Sequence, residues 1–394
     1  MIADDPEADA KLGDGDGPAA APRGTSRAVT LFLCGDVMTG RGIDQILPHP
    51  GKPRLLEPYV ESALTYVELA ERATGPIPKP VGFDYVWGDA LAELRRVQPD
   101  ARIVNLETAV TASEEAWPGK DVHYRMHPEN VPCLAAAAID CCSLANNHVL
   151  DWGRSGLVET LATLHDAGIR TAGAGSDGSA AAAPAVIDIS ADVRVLVFAF
   201  ATEGSGVPRD WRATREHSGV NLIEELSTRS AATIAGQVAV YARNGDIVVA
   251  SIHWGGNWGY EIPAHQREFA HLLIDAGRID LVHGHSSHHA KGIEVYRDKA
   301  ILYGCGDILN DYEGITGYEG YRGNLALMYF ATLDAGSGDL QRLSMTPTHT
   351  HRFRINRASP AAASWLSQTM DRECRKLGAR VEQQSDGTLE LKWS

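Results

Sequence analysis

The sequence predicts an α/β fold in which a mixed sheet, or two stacked sheets, is flanked by helices. Three observations predict it. Apolar runs of strand length alternate with amphipathic stretches, the later runs lie close enough to pair as hairpins, and several runs end abruptly in a polar cluster. In open α/β sheets the C-terminal edge of the strands is where ligands bind.

Residues 1–26 hold six acidic and two basic residues among Gly, Ala and Pro, with no apolar period. That composition predicts a disordered acidic leader over 1–27, with order beginning at Ala28. No linker-like segment or repeat divides the remainder, so a single domain over 28–394 is expected. Strand-like runs fall at 29–35, 101–105, 139–144, 193–200, 246–252, 280–284, 293–296, 300–304 and 324–333. Helical stretches fall at 60–72, 86–97, 155–167, 228–243, 264–276 and 361–376. The helix at 264–276 has the clearest period, since Phe269, Leu272, Leu273 and Ala276 share one face and Gly277 follows. IEVYRDKAILY reads as a hairpin turning at Arg297-Asp298-Lys299, and RVEQQSDGTLELKW as a terminal hairpin turning at Asp386-Gly387.

The 394 residues are 44% apolar and 22% charged, a soluble globular balance. A net charge of −15 argues against nucleic acid or an anionic membrane as partner, while a bound cation would still admit a small anionic substrate. Cys34, Cys133, Cys141, Cys142, Cys305 and Cys374 lie mostly in apolar runs without a CxxC pair, and read as reduced, buried thiols. No signal peptide opens the chain and no apolar run reaches the ~18 residues of a membrane span. A cytoplasmic protein without a membrane anchor is the expectation.

The polar clusters carry the chemistry. Asp36 follows a glycine after LFLC, Glu107 ends ARIVNL, Asn147-His148 follow CCSLAN, His253 follows VVASI, and His285 and His288 follow DLVHG. Carboxylates, imidazoles and an amide oxygen on one rim are the donor set of a divalent-metal site, with Mn, Zn or Fe, one or two ions, as the cofactor. Each residue has a plainer reading: Asp36 as a turn or cap residue, Glu107 as a surface carboxylate, Asn147 as a helix cap, each lone His as a structural histidine. Asn105 is an alternative to Glu107. Of His283, His285, His288 and His289 only some face one rim, and His285 and His288 are favoured. His148 is the candidate general acid, with Asp151, three residues on, to orient it. Arg41, Arg125 and Arg322 are candidate forks for a substrate phosphate or carboxylate, against the alternative of surface salt bridges. AGAGSDG at 172–178 lacks the lysine of a P-loop and reads as a turn.

In order, GDVMTGR, NLET, SLANNHVLDWG, HWGGNWGYE and GHSSHHAKGIEVY followed by YGCGDILNDYEG resemble the CapA family over roughly residues 29–333. That family is associated with bacterial poly-γ-glutamate capsule biosynthesis and looks like a branch of the calcineurin-like metallophosphoesterases. The resemblance implies a four-layer α/β/β/α sandwich around two metals. It also implies Asp36, Glu107, Asn147, His253 and His285 or His288 as ligands, and His148 as the group that protonates the leaving group. The chain departs from the family pattern at three points. Val37-Met38 follow Asp36 where the phosphoesterases have Asp-x-His, Glu107 stands for an Asp, and Ser286 stands where many members have a ligand histidine. The late GDILNDYEG also replaces the family's GNF. The expectation is that His285 takes over the missing contact or that the second metal binds weakly.

The leading functional expectation is a metal-dependent hydrolase acting through a metal-activated water on a phosphoester or a γ-glutamyl or amide substrate. The rivals are amide-bond formation of the poly-γ-glutamate type, by a ligase or transferase, and a non-catalytic metal-binding assembly protein; under any of the three readings a homo-oligomer is a candidate state. The absence of a P-loop weighs against the first rival, and the missing ligands favour the second.

Overall fold

The structure, a computed structural model, describes Met1 and residues 27–393. The acidic-leader expectation therefore lies outside the described residues, apart from the two ends of its span. Two large sheets form the body. In the first, Ala28–Val37 runs parallel to Ala101–Leu106, which is followed outward by Cys141–Ser143 and Arg170–Ala172, also parallel. On its other side Leu325–Asp334, Leu340–Thr350, Leu389–Lys392 and Arg380–Gln383 continue antiparallel. In the second sheet Arg194–Thr202, Ile247–His253, Leu281–His285 and Lys299–Leu302 are parallel neighbours. Ile293–Tyr296 joins the last of them as a hairpin. Its turn is Arg297-Asp298, both at positive φ, and Lys299 already belongs to the strand.

The period of two fixes what each strand presents. Val195, Val197, Ala199, Ile247, Val249 and Leu281 belong to the core shared with the first sheet. The alternate residues Leu196, Phe198, Phe200, Val248, Ala250 and Val282 pack under the helices Thr228–Tyr241 and Ala264–Gly277. His253 and His285 have the parity of the first set, so they face the space between the sheets. Leu94, Leu134 and Leu157, from the helices Asp89–Val97, Pro132–Ala136 and Gly153–Asp166, pack into the first sheet's core. The layers thus run helix, sheet, sheet, helix, the four-layer sandwich expected above. The helix Pro360–Arg375 packs against strands of both sheets, and its Leu366 and Met370 join the shared core.

One local feature places the site. Ala28–Leu33 pairs with Tyr329–Asp334, but past a register shift the strand end pairs instead with Asp307–Leu309, in parallel, with Asp36 opposite Asp307. The switch needs close backbone contact: a Cβ on Gly35 would stand 1.7 Å from the Gly306 carbonyl oxygen. The Asp36 amide donates to that carbonyl at 2.8 Å. All six cysteines are free and buried, as expected. No helix among the described residues is long and apolar enough to cross a membrane.

Candidate metal centre

The strand ends of both sheets bring their polar residues together in a buried cluster. Asp36 and Asp307 come from the paired strands of the first sheet, Glu107 from just past Leu106, and His253 and His285 from adjacent strands of the second sheet, where they are register partners. Asp36, Glu107, His253, His285 and Asp307 are almost wholly buried, and His288 nearly so. Ligand atoms of Asp36, His253 and His285 lie within 4.8 Å of one another, and so do those of Asp36, His288 and Asp307. Two potential cation positions therefore share one carboxylate.

Hydrogen bonds hold these side chains from behind. Asn105 donates to Asp36 Oδ1 at 2.7 Å, and Asn310 to Asp307 Oδ2 at 2.9 Å. His288 Nδ1 meets Asp307 Oδ1 at 2.9 Å. His285 Nε2 meets Ser251 Oγ at 2.9 Å, its Nδ1 lies 2.8 Å from His253 Nδ1, and His253 Nε2 lies 3.0 Å from Asn147 Oδ1. Asn105 thus orients Asp36. His283 is tied to the Cys34 carbonyl at 2.8 Å and His289 to the Gly259 amide at 3.1 Å.

The electrostatics ask for a cation. Burial, and then the Asp307 charge, push the Asp36 carboxyl up to about 7. Burial and then Asp36 push Glu107 well above the carboxylate range. Burial holds His253 and His285 well below the ordinary imidazole value. Asp36 Oδ2 and Glu107 Oε2 are buried with no donor group among the described residues other than each other's carboxyl, should one hold a proton. Orphaned carboxylate oxygens facing neutral imidazoles are costly in a dry protein interior and are what a divalent ion would satisfy. The residues present, with mixed oxygen and nitrogen donors, fit such an ion.

Beside this cluster, His148 Nδ1 meets Asp151 Oδ2 at 2.6 Å, and its Nε2 stands 3.7 Å from Glu107 Oε1. Asp151 also accepts the Tyr124 amide at 2.7 Å and pairs with the Lys120 ammonium at 2.5 Å. Burial lowers the His148 imidazole to about 4, with Asp151 offsetting it only in part. The ring is therefore neutral at rest. Acting as an acid requires it to gain a proton when a substrate brings negative charge to Nε2. Lys120 also donates to the Asn147 carbonyl oxygen, which couples the His148 support to the adjacent amide.

The three arginines separate. Arg41 is buried, with Nε and Nη2 on Asp311 at 3.1 and 2.5 Å and Nη1 on Glu57 and on the Tyr66 hydroxyl, both at 3.0 Å. Its charge is already matched by two carboxylates, so the substrate-fork reading is corrected: Arg41 braces the loops that carry Asp311 and Glu57. Arg125 gives Nη1 to the Ser113 carbonyl at 2.6 Å and Nη2 to the Lys52 carbonyl at 3.3 Å, and lies over Trp152, which places it outside the cluster. Arg322 lines a cavity of ≈ 400 Å³ with Trp258, Asn310, Tyr312 and His349. Its guanidinium lies 5.2 Å from the Trp365 ring centre and pairs with no carboxylate among the described residues.

Sequence reasoning missed Asp307, although a signal was present: Cys-Gly-Asp occurs at 34–36 and again at 305–307. It also missed Lys120, for which no pattern stood out. Ser286 sits at positive φ and donates to the Gly255 carbonyl at 3.1 Å, away from the cluster. Asp307, which the sequence reading did not single out, brings its carboxylate within 4.8 Å of Asp36 and His288 ligand atoms.

Residues 30–312 match the family described as bacterial capsule synthesis protein PGA_cap. A probable polyglutamine synthesis accessory protein of Mycobacterium tuberculosis is 50% identical over 369 residues, 93% of this chain and 97% of that protein. The PGA biosynthesis protein CapA of Bacillus subtilis is 26% identical over 365 residues, 92% of this chain and 81% of that one. A solved structure described as a novel phosphatase from Mycoplasma pneumoniae covers 86% of this chain and 98% of its own at 10% identity, with a TM-score of 0.44. That likeness is too distant to carry an argument.

Proposed function

Because the chain belongs to the bacterial capsule synthesis protein family PGA_cap, we propose that it is a metal-dependent hydrolase within that family, cleaving a phosphoester or a γ-glutamyl or other amide bond. One observation carries this reading: two buried ligand sets meet at Asp36, with orphaned carboxylate oxygens beside them. Asp36, His253 and His285 would hold one divalent ion, and Asp36, His288 and Asp307 the other, with Glu107 and Asn147 alongside. Such an ion, when bound, lowers the pKa of water and polarises a substrate oxygen. His148, held by Asp151, would move the proton to the leaving group. Arg322 would bind an anionic group of the substrate in the adjoining cavity that it lines with Asn310 and Tyr312. The substrate would be small and anionic or γ-glutamyl, and the setting cytoplasmic.

A second reading has its own support. The M. tuberculosis relative is named an accessory protein, which fits a metal-binding assembly component without turnover, or one that assists amide formation. Metal analysis combined with a screen of phosphoester and γ-glutamyl substrates, with and without ATP, separates these. Metal-dependent hydrolysis without ATP supports the first reading. ATP-dependent amide formation, or metal uptake without any turnover, overturns it.

A further inference from the structure

The run Asp307–Tyr312 commits every polar side chain to the site or its brace. Asp307 faces Asp36 and His288, Asn310 donates to Asp307, and Asp311 clamps Arg41. The Tyr312 amide donates to Asn310 Oδ1 at 3.1 Å, which fixes the backbone that carries its ring. That ring stands edge-on to His288, with centres 5.5 Å apart, and forms part of the cavity wall. Tyr312 is thus a cavity residue in ring contact with a candidate ligand. Trp258 also touches His288, but its indole makes no hydrogen bond among the described residues.

The hydroxyl has a proton to give. Tyr124 donates to the Tyr312 oxygen at 3.2 Å, and the Tyr312 hydroxyl makes no other hydrogen bond among the described residues. Tyr124 is itself packed on two sides, with the Arg41 guanidinium over its face at 4.3 Å and the His148 ring edge-on at 4.6 Å. A phenol oxygen that accepts one hydrogen bond and keeps its own proton free is a preorganised donor. We propose that Tyr312 is a catalytic residue whose hydroxyl donates a hydrogen bond to an anionic substrate oxygen held beside Asp36, His288 and Asp307. The assignment rests on the hydrolase reading above and adds to it an oxyanion-binding group, suited to a phosphoryl oxygen or a tetrahedral acyl oxygen.

The test uses the full chain reconstituted with manganese and titrated calorimetrically with inorganic phosphate, with metal content measured in parallel. Tyr312→Phe should bind phosphate ~10–100-fold more weakly at unchanged metal content, the scale of one hydrogen bond to a charged group. Tyr124→Phe, which leaves the Tyr312 hydroxyl in place, should lose no more than ~3-fold, the scale of a neutral hydrogen bond. Equal phosphate affinity in Tyr312→Phe and wild type overturns this assignment and leaves the hydrolase reading standing. Equal losses in the two variants assign the effect to packing and overturn it as well. A wild-type protein that loads metal but binds no phosphate overturns it together with the phosphoester form of the parent reading, and one that loads no metal overturns both.

Discussion

Replacing Asp36 with Asn should make the metal-free protein more stable at pH 8 while removing its response to metal. The Asp36 carboxyl is fully buried and pushed up to about 7, first by burial and then by Asp307. Its folded pKa therefore lies above the unfolded value of about 3.9. The stability it contributes is complete below about pH 4 and is lost as pH rises through about 7. A gap of ~3 units at ~1.4 kcal/mol each makes the ionised carboxylate cost ~4 kcal/mol in the metal-free fold at pH 8. Asn removes that charge, and its own Oδ1 can still accept the bond that Asn105 now gives Asp36. Glu107 and Asp307 share the cluster and relax in part, so a gain of ~2–4 kcal/mol is expected. For a chain of this length that is ~3–5 °C in Tm. Metal at ~1,000 times its Kd should raise wild-type stability by ~4 kcal/mol and leave the variant unmoved. Thermal unfolding at pH 8 and pH 5, in chelator and in manganese, reads all of this, and the advantage of the variant should shrink at pH 5. A variant less stable than wild type in chelator at pH 8, or equal metal shifts in both, would refute the reasoning.

His148→Ala should keep its metal and lose ~10²–10⁴-fold in turnover, less for substrates with good leaving groups; equal losses across a leaving-group series would remove His148 from the acid role. His285→Ala should lower metal stoichiometry whereas Ser286→Ala should not, because the Ser286 hydroxyl is turned to the Gly255 carbonyl; metal lost equally from both would contradict the ligand assignment. Arg322→Met should raise KM ~10-fold or more at constant metal content, the scale of a lost hydrogen bond to a charged group. An unchanged KM would show that the cavity's guanidinium does not touch substrate.

Much of the site was legible because a strand end is a local event. LFLCGD, VVASIH and DLVHGH each show a buried strand running into a ligand-type side chain, and the period of two says which residues share a face. The helices at 228–241 and 264–277 were legible for the same reason, their stripes being intrinsic to the segment. What failed depends on distant partners. Arg41 carries no sign in its own neighbourhood that Asp311, 270 residues on, and Glu57 neutralise it. Lys120 lies in a segment without period, and only the folded loop sets it against Asp151. Asp307 was hidden because its segment read as a departure from a family pattern, when it repeats the Cys-Gly-Asp that carries Asp36. The strand Leu340–Thr350 escaped because Pro347 and several polar residues interrupt its apolar content.

The claim on which the rest stands is that this buried rim is a divalent-metal centre with Asp36 between two positions. Anomalous difference maps from crystals of the manganese-reconstituted protein test it most directly. The account predicts two peaks flanking the Asp36 carboxylate, one against His253 and His285 and the other against His288 and Asp307. Crystals saturated with manganese that show no peak at Asp36, or show the histidines turned away from it, would contradict it.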